Sequence, residues 1–140
     1  MKIVNLDGYT TNPGDLSWDW LGNYGEYKVY DRTAPEQIVE RAKGADILII
    51  NKSVITAQML ENLPNLKFVG LQSTGYNVID CKAARARNIT VSNIPAYSTT
   101  GVAQLVFAFI LQVADNVSLH SDAVHNGEWC ECPDFCFWKT

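Results

Sequence analysis

At 140 residues, with 47% hydrophobic, 19% charged and 11% aromatic side chains, the chain has the composition of one globular domain and a trailing element, which excludes a disordered, collagen-like or coiled-coil protein. Eleven Lys and Arg against fifteen Asp and Glu leave a net charge of −4, and the basic cluster Lys82, Arg85 and Arg87 is too short for a nucleic-acid or anionic-membrane footprint. Partners are expected to be small molecules or proteins, with no nucleic acid and no membrane.

The chain opens on an apolar run, Met1 to Leu6, with neither a basic region before it nor a small-residue cleavage site after it. That reads as no signal peptide and a cytoplasmic protein. β-rich runs then recur at Lys2 to Leu6, Glu26 to Tyr30, Ala45 to Ile50, Leu66 to Leu71 and Ile89 to Asn93, with starts 24, 19, 21 and 23 residues apart. A parallel neighbour needs a crossover of about a dozen residues or more, so this rhythm predicts βα units around a parallel sheet. Ile47 to Ile50 and Phe68 to Leu71 are apolar on consecutive residues, as strands covered on both faces are.

The spacers carry helix signals. Ala34 to Lys43 places Ile38, Val39 and Ala42 on one face, with Gly44 as the stop. Thr56 to Leu63 starts on a capping Thr and ends at Pro64; Asn77 to Arg87 starts on an Asn three residues before Asp80. The expected fold is α/β: a flavodoxin-like, doubly wound, five-stranded parallel sheet of order 2-1-3-4-5 over residues 1–97.

From Pro95 the pattern changes. Ser98, Thr99 and Thr100 precede Val102 to Ala114, 13 nearly unbroken apolar residues that turn amphipathic through His120 and His125 to Gly127. A bilayer needs about 20 such residues, so no membrane span is expected. A helix apolar all round needs cover on every side, and the aromatic tail, Trp129 to Trp138, supplies too little. Residues 98–140 therefore read as a helix that must meet something outside the first domain, leading into a second unit.

In an open α/β sheet ligands lie outside the C-terminal strand ends. The informative loop there is Ser73-Thr74-Gly75-Tyr76-Asn77, whose consecutive N–H groups can bind a carboxylate. Lys52, after Asn51 at the end of the third strand, adds a cation to the same cleft. His120 and His125 are i, i+5 apart and have no nucleophile beside them, and Asp134 after Pro133 reads as turn chemistry. Cys130, Cys132 and Cys136 lack zinc-ribbon spacing, so no metal is expected. No two of the nine glycines stand two residues apart, which excludes both a GxGxxG dinucleotide loop and a Walker loop from this stretch.

The stretch LPNLKFVGLQSTGYNVIDCKAARARNITVSNIPAYSTTGVAQLVFAFILQ, followed by HSDAVHNGEW and PDFCFW, resembles the N-terminal part of the D-isomer-specific 2-hydroxyacid dehydrogenases, in the glycerate dehydrogenase (hydroxypyruvate reductase) branch. The resemblance implies a two-domain enzyme that reduces a 2-keto acid, hydroxypyruvate or glyoxylate, with NADH. It implies a crossing into a Rossmann domain at Pro95-Ala96-Tyr97, and a homodimer through the 99–125 helix. Carried over, the amides of Thr74, Gly75 and Tyr76 hold the substrate carboxylate, Asn51 and Lys52 line the cleft, and Thr100 and Val102 approach the nicotinamide of NAD. Phe135, Phe137 or Trp138 would cover the partner subunit's site. The family's NAD loop and its catalytic Arg, Glu and His have no match here, so no catalytic residue is assigned and the isolated chain is expected to be inactive. Gly101 stands where the family commonly has a Ser that would box with Gln104. The alternative reading is a non-enzymatic small-acid-binding or oligomerisation module of the same fold.

Overall fold

The computed structural model describes residues 1–133, which fall into two compact units, Met1–Ala96 and a second that begins at Tyr97. The first holds five short strands, β1 (Lys2–Asn5), β2 (Glu26–Val29), β3 (Ile47–Ile50), β4 (Phe68–Leu71) and β5 (Thr90–Ser92). All pairings are parallel, as the spacing predicts, and the order β2-β1-β3-β4-β5 is the expected flavodoxin-like one.

The register sorts the strand side chains by face. Val4, Leu6, Leu48, Ile50, Val69 and Leu71 join one buried cluster with Ile38 and Ala42 of α1 (Ile38–Ala42), Leu60 of α2 (Ala57–Glu61) and Ala84 of α3 (Cys81–Ala86). Right-handed crossovers explain why these helices share a face. From β2 onward every connection moves the same way across the sheet; β1 to β2 alone moves the other way, so its connection belongs on the opposite face. That connection forms two 3-10 segments, Gly8–Thr10 and Asp19–Tyr24, in place of an α-helix. Trp18, Trp20, Leu21 and Tyr24 front a groove of about 380 Å³ floored by Ile3, Ile47, Ile49 and Phe68.

The predicted ends hold where chemistry sets them. The Thr56 side chain accepts from the Met59 N–H and caps α2, and Gly44 closes the α1 turn at φ +75°. Two expectations are corrected. The helix expected over Asn77–Arg87 begins at Cys81, because Asn77 and Val78 form a turn and Ile79 then bridges to Ile55: Ile55 N donates to Val78 O and Asp80 N to Ile55 O. Asp80 itself is the cap, accepting from Ala83 N at 2.9 Å. At the sheet's N-terminal edge Asp46 accepts from Lys67 Nζ at 2.8 Å and from Lys2 N at 2.9 Å.

The second correction lies in the second unit. The long helix is α4 (Thr99–Asp115), then α5 (Val117–His125) after a 64° bend, then the short α6 (Glu128–Glu131). Asn116 makes the break in a left-handed conformation, φ 48°, which Asn tolerates better than most residues. The helix starts at Thr99, where the 99–125 helix is expected to start, so Gly101 sits inside its first turn and not at a cap. None of the 17 residues of α4 is buried, and Phe107 and Phe109 are among its exposed side chains. Among the described residues no single helix is long and apolar enough to cross a membrane.

Candidate functional site at the strand ends

The reversal of winding between β1 and β3 leaves a crevice at their C-terminal ends, the place where ligands settle in such sheets. Asp7, just beyond β1 and 3% exposed, organises it. Its Oδ2 accepts from the backbone N–H groups of Asn51 (2.8 Å), Lys52 (3.0 Å) and Ser53 (2.9 Å), and its Oδ1 accepts from Ser53 Oγ at 2.9 Å. Three amides and a hydroxyl converging on one carboxylate fix the β3 loop to the β1 loop through charge-assisted bonds.

Asn51 is buried, and its Nδ2 donates to Thr10 Oγ1 at 2.7 Å, which in turn donates to the Asp7 carbonyl. Its amide nitrogen thus braces the two loops. Lys52 is the exposed member of the loop and lines a cleft of about 300 Å³ with Asp7, Thr10, Arg32 and Thr33. The next residue on the β1 side, Gly8, is required by space: a Cβ there would run into Val29 Cγ1.

The Ser73–Asn77 loop follows β4, one strand further along. The carbonyls of Ser73, Thr74 and Gly75 each accept a protein donor: Ile94 N at 3.0 Å, Asn93 Nδ2 at 2.8 Å and Ser73 Oγ at 2.9 Å. Thr74 Oγ1 donates to Ile94 O at 3.0 Å. A peptide unit is planar and trans, so each N–H opposes the carbonyl before it. With those three carbonyls engaged, the N–H groups of Thr74, Gly75 and Tyr76 are turned the other way, and none donates to an acceptor among the described residues. All three residues are exposed, so the row of donors is open to a ligand. Tyr76 also borders a cleft of about 410 Å³ that reaches Cys81, Arg85 and Asn93.

The predicted residues therefore form two adjacent groups: Asn51 and Lys52 on the Asp7 anchor, and Thr74 to Tyr76 on the Asn93-Ile94 anchor. Thr100 and Val102 occupy the first turns of α4, both exposed, in the second unit. Sequence reading missed Asp7 and Asn93 as the residues that hold these loops, although both stand just beyond strand ends. Among the described residues no group of three His, Cys, Asp or Glu could hold a metal, and Cys130 is a free thiol. Asp134, Phe135, Cys136, Phe137 and Trp138 lie outside the described residues.

Comparison with known proteins gives this geometry its context. Residues 10–129 match the family model described as D-isomer specific 2-hydroxyacid dehydrogenase, catalytic domain. A hydroxypyruvate reductase of Blautia hydrogenotrophica is 45% identical over 99% of this chain, which spans 44% of that protein; a glycerate dehydrogenase of Methylorubrum extorquens is 38% identical over 81% of the chain and 36% of its own length. The chain thus spans less than half the length of these relatives. Among solved structures, an acyclic imino acid reductase in complex with NADPH and D-Arg covers 91% of the chain with a TM-score of 0.74 and 30% identity, and 41% of that structure is matched. A D-2-hydroxyisocaproate dehydrogenase, 22% identical, shares the fold over 99% of the chain and 43% of its own, with a TM-score of 0.67. The chain belongs to the D-isomer specific 2-hydroxyacid dehydrogenase family.

Proposed function

We propose that this member of the D-isomer specific 2-hydroxyacid dehydrogenases is the substrate-binding portion of an NAD-dependent hydroxypyruvate reductase, acting on hydroxypyruvate or glyoxylate to give D-glycerate or glycolate. The observation that carries the reading is the row of three unpartnered N–H groups at Thr74, Gly75 and Tyr76, held outward by the bonds to Ser73 Oγ, Asn93 and Ile94. A carboxylate laid on them accepts donors that need no reorganisation, which fixes the 2-keto carbon in place. Lys52 adds positive charge one strand away, on a loop that Asp7 and Asn51 keep rigid.

NAD would supply the hydride. The residues present do not make up its cradle: no glycine pair has the spacing of a dinucleotide loop. No chemical step is therefore assigned to this chain, whose part is to bind and orient the acid. Nitrogen–proton correlation spectra of the 140-residue chain, titrated to millimolar D-glycerate or hydroxypyruvate, test this. The resonances of Thr74, Gly75 and Tyr76 should move most; unchanged spectra would remove the reading.

A second reading, an association module, is favoured by α4. Val102, Leu105, Phe107, Phe109, Ile110 and Val113 are each at least half exposed, an apolar surface of the kind that marks an interface. We assign residues 99–125 to a homodimer contact. Sedimentation should give twice the 15.6 kDa chain mass, and a monomer at micromolar concentration would exclude it.

A further inference from the structure

We propose that the Thr74–Gly75 peptide is a two-position element, and that Asn93 is the positioning residue that sets it with the Gly75 N–H towards the acid. The proposal rests on the preceding reading of the amide row and concerns what keeps that row presented. It starts from a glycine that the observed conformation does not require. Gly75 is not among the glycines with a positive φ. A Cβ built on it would meet one atom within 4 Å, Asn77 Oδ1 at 3.3 Å, the end of an exposed side chain that can give way. Neither backbone angle nor crowding in this state accounts for it.

A second state of the same backbone does. A peptide unit turns over as a plane when ψ of the residue before it and φ of the residue after it change together by about 180° in opposite senses. For Thr74–Gly75 that movement carries Gly75 to positive φ, which glycine enters freely and other residues enter at a cost. It also exchanges the two polar groups. Thr74 O then stands where the Gly75 N–H stood, and a carbonyl oxygen repels a carboxylate.

The three bonds that hold the row differ in this respect. Ser73 O is held by a main-chain donor, Ile94 N, and Gly75 O by Ser73 Oγ from the loop itself. Thr74 O is held by a side chain from outside the loop, Asn93 Nδ2 at 2.8 Å. The peptide that glycine leaves free to turn is thus the one that a side-chain amide secures. Asn93 stands just beyond β5, three residues before the first unit ends at Ala96, so the strand that leaves for the second unit carries the latch.

Nitrogen–proton spectra of the ligand-free 140-residue chain at neutral pH test this, with D-glycerate titrated afterwards. Asn93→Asp keeps the side-chain shape and exchanges the donor for an acceptor, which repels Thr74 O and attracts the Gly75 N–H. The Gly75 resonance should move more than those of Thr74 and Tyr76, and more than it does in Asn93→Ala, which removes the donor and adds nothing. A mere tie between loops would rank the truncation as the more damaging change. In Gly75→Ala the turned-over state is strained, so adding Asn93→Asp to that background should leave the Thr74 and Tyr76 resonances and that of position 75 in place. D-Glycerate should bind about two- to tenfold more weakly to Asn93→Ala than to the parent, the worth of one neutral hydrogen bond in a site that is competent part of the time. A Gly75 resonance that stays put in ligand-free Asn93→Asp, or an equal response with Gly and with Ala at position 75, would overturn the proposal. The expected Gly75 response in a chain that ignores D-glycerate would keep the two-position peptide and reject the amide reading alone.

Discussion

Asp7 offers the sharpest test of how the two strand-end loops are held. In Asp7→Ala the N–H groups of Asn51, Lys52 and Ser53 and the hydroxyl of Ser53 lose their common acceptor, and Asn51 and Ser53 are buried, where water reaches them poorly. Each buried donor left unsatisfied costs about 1–3 kcal/mol; with Lys52 hydrated, the loss is about 3–5 kcal/mol. The unit Met1–Ala96 is of a size that carries about 5–14 kcal/mol in all, so about a fifth or more of its stability is at stake, equivalent to about 12–40 °C in Tm. Asp7→Asn separates charge from connectivity. Its carbonyl oxygen can face the three amides while its NH2 group donates to Ser53 Oγ, which can accept as well as donate, so the loss is about 1–2 kcal/mol. Urea unfolding followed by circular dichroism gives both values. An Ala variant within about 0.5 kcal/mol of the parent, or an Asn variant as damaged as the Ala one, would refute the reasoning.

Gly8→Ala should cost about 1–3 kcal/mol, since the new methyl runs into Val29 Cγ1 with Tyr30 O also close, and the β1 and β2 ends must part to admit it; a neutral Tm would contradict this. Asp46 supplies a pH dependence. The Lys67 ammonium, then the Lys2 N–H, hold its carboxyl below the usual range. A carboxyl lowered on folding adds stability that is complete above its unfolded value, about 3.9, and is lost as pH falls through the lower folded one. The stability difference between the parent and Asp46→Asn should therefore be full at neutral pH and shrink steadily in acid below pH 4; a difference that grows in acid would reverse the assignment.

The sheet was legible because its signals are local and redundant. Five apolar runs at crossover spacing, a Thr cap at Thr56 and a stop at Gly44 each report backbone chemistry that acts within a few residues, and parallel pairing follows from their rhythm. The start of α3 was not legible: Asn77 and Asp80 are both competent caps, and the choice went to Asp80 because Val78 to Asp80 pair with Ile55, a contact between segments more than twenty residues apart. The bend at Asn116 escaped for a related reason, since the apolar pattern runs through it and only the backbone turns.

For the candidate site, sequence located the right loops and the right backbone, Thr74 to Tyr76, without giving the reason those amides are free. That reason is the capture of three consecutive carbonyls by Ile94, Asn93 and Ser73, two of them on the loop after β5. The family and the parallel βα units are thus properties of short stretches, set by residue type and spacing. Which polar groups are spent and which stay without a protein partner depends on residues brought together from distant parts of the chain. Asp7 consumed by the β3 loop, and the Ser73 and Thr74 carbonyls taken by Ile94 and Asn93, exist as a pattern only after the strands have assembled.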